Sequence, residues 1–388
     1  MDLSPEDCKR CQDLTKQLLE KTLHDCEELE LNTTFDGAHA NLDKKRWKKL
    51  QTQENVTIYA DRTANSAWLP VMNRDEWEYP VAVTAVGRME CSLDDLLFAL
   101  MTPTTASQRL RSFLMDRRPE KNCQLVSIVT PTQDSPFQFL AVSRFVCTQN
   151  WPFTMFKGPR EMLLAIGTGK VTTASGKQYG YEMTQSVSVC SHSQHPPMPR
   201  SRALQARIFW GKSDGSIAVY NKLIVDAKNR LSDSVKQLML CRAVLGFWKF
   251  VPRSLETKKL WWCLKNKKTL ILSHQMEEST GCTVKSQKPH KQSVSNQCEF
   301  CQTFLCGGSK CRTSCQLKLV LSSETGFLEQ RLTLCPRCAT FVRSRDSTEI
   351  ARAALVEMEQ SSFGSVSSFT KTWSTRDEDT FSSASTES

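Results

Sequence analysis

Apolar and polar positions change their period twice along the chain. The first segment opens with Ser4-Pro5-Glu6-Asp7, a serine N-cap followed by proline and early carboxylates, and continues with Cys11, Leu14, Leu18, Leu19, Leu23 and Cys26 at helical spacing. This pattern predicts an N-terminal helix, with Cys8 and Cys11 serving its packed stripe. The stretch DKKRWKKL, residues 43–50, reads as a basic helical stretch that leads into strand structure and carries one tryptophan, Trp47. Between Asn55 and Asp226 the pattern becomes that of strands: NVTIYADR, VAVTAVGRM, CQLVSIVTP, FQFLAVSRFVC, EMLLAIGTGKVTT, KQYGYEMTQSVSV, RALQARIFWGK and SIAVYNKLIVD, eight segments rich in β-branched and aromatic residues. The short links Ser175-Gly176 and Ser213-Asp214-Gly215 suit hairpins, so neighbouring strands are expected to be antiparallel.

Two helical pieces interrupt the strands, CSLDDLLFALM with Ser92 as N-cap and TASQRLRSFLM after Thr102-Pro103-Thr104. A long helix, LSDSVKQLMLCRAVLGFWKFV, follows the last strand, capped by Ser232 or Asp233 and turning Val235, Leu238, Leu245 and Trp248 to one side. Pro252 is expected to break or kink it before the run that ends in Leu260-Trp261-Trp262.

This order of elements, with LDDLLFALMTPTT, PFQFLAVSRFV and the closing helix in these places, resembles the START lipid-transfer family over about residues 40–265. The resemblance implies an α+β helix-grip fold, a curved antiparallel sheet around the long C-terminal helix, with an interior that takes a sterol, phospholipid or other lipid. Trp210, Phe247 and Trp248 are candidate walls of such an interior and equally candidates for a plain core. Arg144 or Arg207, if turned inward, needs a carboxylate or a ligand headgroup.

Five of the 17 cysteines fall in CEFCQTFLCGGSKCRTSC, residues 298–315. No signal peptide precedes them and no window approaches a membrane span, so the expected location is cytoplasmic, where clustered thiols bind metal more readily than they form disulfides. Cys298-x2-Cys301 pairs with Cys335-x2-Cys338 across QLKLVLSSETGFLEQRLTL, whose apolar alternation on both sides of Glu324-Thr325-Gly326 predicts a hairpin; two such knuckles converge on one four-thiolate zinc site. Cys306, Cys311 and Cys315 complete the candidate ligands. The spacing from Cys298 to Cys306, the hairpin and the closing CPRC resemble the second half of a FYVE-type cross-braced finger. That resemblance implies one ion on Cys298, Cys301, Cys335 and Cys338, with Cys306 beginning a second site. The pattern departs from the family at Ser309, where a ligand is due. No CxxC stands upstream to complete the second site, for which Cys282 and His290 are the available residues, and SVSNQCEF replaces the basic strand that reads phosphatidylinositol 3-phosphate. The finger is thus a degenerate FYVE-related one, with no expected preference for that lipid.

The domain organisation read from the sequence is an N-terminal helix (1–39), a START-like domain (40–265), a linker (266–294), the finger (295–345), a short helix containing STEIARAAL (346–359) and a tail (360–388). In the tail 15 of 29 residues are Ser or Thr, a composition expected to be disordered. Net charge is +10, and the segment from Lys265 to Arg345 alone holds 13 Lys/Arg against 5 Asp/Glu. An anionic membrane or another partner suits this basic module; nucleic acid is the less expected partner. No nucleophile elbow, phosphate-binding glycine loop or HExxH is present. His192 and His195 with Cys190 form only a weak metal-like group among the six histidines. The expected function is non-enzymatic lipid binding or transfer, peripheral at endomembranes; the alternative is an adaptor whose grip interior is filled by its own side chains and whose finger recruits protein or nucleic acid.

Overall fold

The computed structural model describes residues 3–32, 43–53, 55–62, 68, 77–116, 124–147, 160–188, 200–226, 232–267, 270, 298–302, 316–323 and 326–363. The N-terminal helix α1 (Pro5–Asn32) is capped as its sequence predicts, Asp7 N–H donating to Ser4 Oγ at 3.1 Å. It precedes β1 (Trp47–Gln53), β2 (Val56–Asp61) and β3 (Pro80–Met89). Two helices follow, α2 (Leu93–Leu100) and α3 (Thr105–Asp116). Six strands come next: β4 (Gln124–Val129), β5 (Phe139–Cys147), β6 (Arg160–Thr172), β7 (Gln178–Ser186), β8 (Arg202–Gly211) and β9 (Ile217–Asp226). The long helix α4 (Asp233–Lys265) closes this unit. Beyond it lie β10 (Gln316–Ser323), β11 (Gly326–Thr333), α5 (Pro336–Ser344) and α6 (Ser347–Phe363).

The first nine strands form one antiparallel sheet in the order β1-β2-β3-β9-β8-β7-β6-β5-β4, and β10 pairs with β11. At the β6–β7 and β8–β9 hairpins Gly176 and Gly215 take φ of +78° and +82°, a conformation that side-chain-bearing residues rarely adopt. Helix α4 lies against one face of the sheet. Its first half packs Leu240, Ala243 and Val244 on Val56, Ile58, Val83, Phe145 and Met162. Its middle packs Phe247, Phe250 and Val251 on Phe209, Val219 and the buried side of α2. This is the α+β helix-grip architecture. The opposite face is covered by α1, whose Leu18, Cys26 and Leu29 meet Trp47, Tyr59, Tyr179, Trp210 and Tyr220. Cys11 packs in the same layer with Val142 and Leu163, as its place in the helical stripe predicts. No helix among the described residues is long and apolar enough to cross a membrane.

Several expectations are corrected. The basic stretch at 43–50 is not helical: a turn leads into β1, because Trp47 is buried edge-on to Tyr59 and the flanking lysines suit an exposed edge strand. The sheet therefore has nine strands, one more than the sequence pattern suggests. Pro252 does not end the helix, since α4 runs unbroken through it. The residue is exposed, so water can reach the Trp248 carbonyl it leaves unbonded, and packing by Phe250, Val251 and Ser254 on either side offsets a cost of about 3 kcal/mol. The buried side of α4 is carried by Lys236, Leu240, Ala243, Val244, Phe247 and Val251, whereas Val235 and Leu238 face solvent. Trp210 and Phe247 lie on opposite sides of the sheet, so they cannot wall one interior: Trp210 meets Tyr179 in the α1 layer, and Phe247 stacks on the neighbouring Phe209.

Candidate functional site

On the α4 side of the sheet, strand pairing lines up three polar residues. Glu182 on β7 is directly opposite Arg207 on β8, which is in turn opposite Asn221 on β9. All three are almost wholly buried. Arg207 donates to Glu182 Oε2 and lies 4.2 Å from the Phe247 ring centroid, which fixes its direction toward α4. Arg111 of α3 donates to the other oxygen of Glu182 and, at 3.2 Å, to the Leu100 carbonyl. Burial pushes the Glu182 carboxyl up, but the Arg111 and Arg207 guanidiniums outweigh it and hold the group below the ordinary carboxylate range. Arg207 is pushed down by burial to about 10, still charged at neutral pH.

Two donors in this row lack partners among the described residues, Nε of Arg207 and Nδ2 of Asn221. A third basic group stands near the cluster. Lys258 of α4 donates to the carbonyls of Phe98, Ala99 and Met101 at 2.7, 3.1 and 2.7 Å, closing the C-terminus of α2, and burial pushes its amine down to about 7. The cluster is thus rich in cations and unused donors, and can accept a group that brings acceptor oxygens.

The pair should be visible in acid. Because the folded-state pKa of Glu182 is depressed, its stabilisation is present above the unfolded value, about 4.3, and is lost as pH falls through the lower folded value. Glu182→Gln should destabilise the neutral protein by about 3 kcal/mol, since it leaves two guanidiniums without a counter-charge. The gap to wild type should narrow in acid. Melting curves between neutral pH and pH ~3 check this, and a gap independent of pH would mean that Glu182 is not ionised in the fold.

The second constellation is built by two turns and a helix start. Cys298 and Cys301 lie in a turn in which Gln302 N–H donates to the Cys298 carbonyl at 2.8 Å, and Cys335 is the N-cap of α5, with Pro336 at its first turn. The hairpin predicted between the knuckles is present as β10–β11, with Ser323 opposite Gly326. One sulfur from each of Cys298, Cys301, Cys335 and Cys338 lies within 4.8 Å of the others, and Cys301 Sγ is 3.7 Å from Cys335 Sγ. Tetrahedral zinc with Zn–S bonds of about 2.3 Å requires sulfurs ~3.8 Å apart, so the donor set fits that ion. Backbone N–H groups point at two sulfurs, Cys335 N–H to Cys298 at 3.1 Å and Cys338 N–H to Cys335 at 3.4 Å. These donors and the positive end of α5 favour thiolates.

This centre shares its core with the grip helix. Leu260 and Cys263 of α4 pack with Phe300, Leu332, Leu334, Ala339 and Val342 around the cysteines. Lys259 reaches Asp95 of α2 at 2.8 Å and the Arg343 carbonyl at the end of α5 at 3.1 Å.

Of the residues singled out in the sequence, Cys298, Cys301, Cys335 and Cys338 come together. Cys306, Cys311 and Cys315 lie outside the described residues, as do Cys282, His290, Cys190, His192, His195 and the tail from 364 onward. Both arginines meet carboxylates: Arg144 pairs with Glu161, which also binds Arg200, and Arg207 pairs with Glu182. Sequence reasoning did not find Glu182, Asn221 or Arg111. For Glu182 and Asn221 the available signal was a charged or amide residue in the middle of a buried strand; Arg111 lies on α3, where an arginine is commonplace.

No family model matches the sequence, and no curated protein matches it. Among solved structures, human StAR-related lipid transfer protein 5 aligns at 11% identity over 64% of this chain and 97% of that chain, with a TM-score of 0.42. The human StarD13 (DLC2) lipid transfer and protein localization domain aligns at 13% identity over 54% and 88%, with a TM-score of 0.36. Human STARD10 aligns at 13% over 60% and 82%, with a TM-score of 0.35.

Proposed function

We propose that this chain is a non-enzymatic lipid-binding or lipid-transfer protein of the START-like type. In this reading a lipid lies between α4 and the sheet, and Cys298, Cys301, Cys335 and Cys338 hold one structural zinc ion in a basic, FYVE-related module that docks to membranes or partners. The observation that carries the lipid reading is the row Glu182–Arg207–Asn221. Buried donors without partners cost about 1–3 kcal/mol each, and although Gln205 Nε2 donates to Asn221 Oδ1, Arg207 Nε and Asn221 Nδ2 stay without partners among the described residues. A lipid headgroup satisfies them, while its chains suit the apolar surroundings. The adaptor reading draws on Phe209 stacked against Phe247, which fills part of the same space with the protein's own side chains. Organic extraction of the purified full-length protein, followed by lipid mass spectrometry, separates the two. A stoichiometric lipid supports the first reading, and an extract without lipid supports the second.

The basic module should bind anionic surfaces by charge alone. Vesicles containing phosphatidylserine should capture the protein at low salt and release it as the Debye length shrinks to about 3 Å near 1 M, with no preference for phosphatidylinositol 3-phosphate at matched charge. Flotation assays check this. Binding that survives high salt and demands that one headgroup would refute it.

A further inference from the structure

The joint between α5 and α6 carries a feature that neither zinc nor lipid binding uses. Helix α6 docks on α2 through its first turn: Ser347 Oγ donates to Asp95 at 2.6 Å, and Thr348 Oγ1 donates to Asp94 at 2.7 Å. Ile350 and Ala351 then bury against the apolar side of α2, and Arg352 exchanges hydrogen bonds with Gln133. Ser347 is sealed at 2% exposure, whereas Thr348 is partly open. Just ahead of it the chain reads Arg343-Ser344-Arg345-Asp346-Ser347-Thr348, which places arginines three and five residues before the threonine. The Arg343 side chain is 57% exposed, and the backbone at Arg345 is extended where α5 ends. A pair of cations at this spacing is what a protein kinase with an acidic peptide groove selects.

We propose that Thr348 is a phosphorylation site for a basophilic serine/threonine kinase, and that its modification undocks α6 from α2. The kinase transfers the γ-phosphoryl group of a nucleoside triphosphate to Thr348 Oγ1. The P–O bond to the nucleoside diphosphate breaks, the new P–O bond forms on Oγ1, and the hydroxyl proton leaves to the catalytic base. The hydroxyl that donated to Asp94 becomes a group of nearly two negative charges that cannot donate. The charged groups around it favour separation. Asp94 already pairs with Lys170, Asp95 with Lys259 and Glu349 with Arg345, while Asp346 caps the helix by accepting from Glu349 N–H at 2.8 Å. Lys170, Lys259 and Arg345 thus each have a carboxylate, and Arg352, one turn along α6, is held on the Gln133 carbonyl at 3.0 Å, so the phosphate adds charge against Asp94 and Asp95 of α2. A phosphate at a helix N-terminus favours the helix itself, so α6 should leave α2 without losing its helical propensity.

Access to the site needs the first turn of α6 and the last turn of α5 to open, with Arg345 leaving the Trp262 and Phe341 rings, and helix ends open more readily than helix centres. Reaction of the full-length protein with Mg·ATP and the catalytic domain of a basophilic kinase tests this. Peptide mass spectrometry should place phosphate on Thr348, more slowly in Arg343→Ala, and Thr348→Val should take up none at this position. Amide exchange in residues 93–100 and 347–357 of the phosphorylated protein should quicken about tenfold or more, the factor that corresponds to losing one charge-assisted hydrogen bond. Absence of phosphate on Thr348, or phosphate there with exchange in these segments unchanged or slowed, would overturn the proposal.

Discussion

Cys298→Ser is expected to remove bound zinc from the protein and to unfold more than the knuckle it belongs to. Structural zinc contributes about 10–16 kcal/mol in small finger peptides, and three thiolates do not hold it as four do. Without the ion, Cys298, Cys301, Cys335 and Cys338 must share a buried space in which, among the described residues, hydrogen bonds between sulfurs and from the backbone oppose their crowding. Their core also contains Leu260 and Cys263, so the C-terminal turns of α4 lose their cover together with the β10–β11 hairpin. The disturbance should reach α2, because the Lys259 ammonium bridges Asp95 and the end of α5. Metal analysis should give one zinc per chain in wild type and in Cys8→Ser, whose thiol lies outside the four-sulfur group, and close to none in Cys298→Ser. Amide exchange should rise in residues 255–265 and 316–344 of the variant. Equal zinc in wild type and Cys298→Ser would exclude these cysteines as the site.

The sequence carried this centre plainly because its signal is local: two CxxC pairs and an alternating hairpin lie within a few dozen residues. Eight strands of the large sheet were legible for the same reason, each being a run of β-branched and aromatic residues closed by turn signals. Strand β1 was hidden. In Trp47–Gln53 only Trp47 and Leu50 are apolar, and the remaining lysines and polar residues are those an exposed edge strand tolerates. The path of α4 through Pro252 was hidden by a rule that holds for isolated helices and yields to packing on both sides. The Glu182–Arg207–Asn221 row was legible only at Arg207, as an arginine that needs a carboxylate if turned inward. Its members come from three strands, and only the antiparallel register brings them side by side.

That row makes the second large effect. If a lipid headgroup meets Arg207 and Asn221, removing the Asn221 amide should weaken lipid binding while leaving the fold intact. Asn221→Leu keeps the volume and removes an amide whose Nδ2 is unpartnered; because its Oδ1 accepts from Gln205 Nε2 at 3.4 Å, the change leaves that donor unpaired and should cost about 1 kcal/mol in stability. Loss of one hydrogen bond to the ligand, about 1.4 kcal/mol, should lower affinity about tenfold. Arg207→Met should act more strongly on binding and also cost about 3 kcal/mol or more in stability, since Glu182 keeps only Arg111. Titration with a fluorescent lipid, beside thermal unfolding of each variant, separates the effect on binding from the effect on folding.

The most direct test of the lipid reading is native mass spectrometry of the full-length protein, as purified and after incubation with mixed vesicles of sterol, phosphatidylcholine, phosphatidylserine and phosphatidic acid. The account predicts a species heavier than the chain and its zinc by the mass of one lipid, diminished in Asn221→Leu and lost in Arg207→Met. A folded, zinc-loaded protein that shows only its own mass under every condition would contradict it.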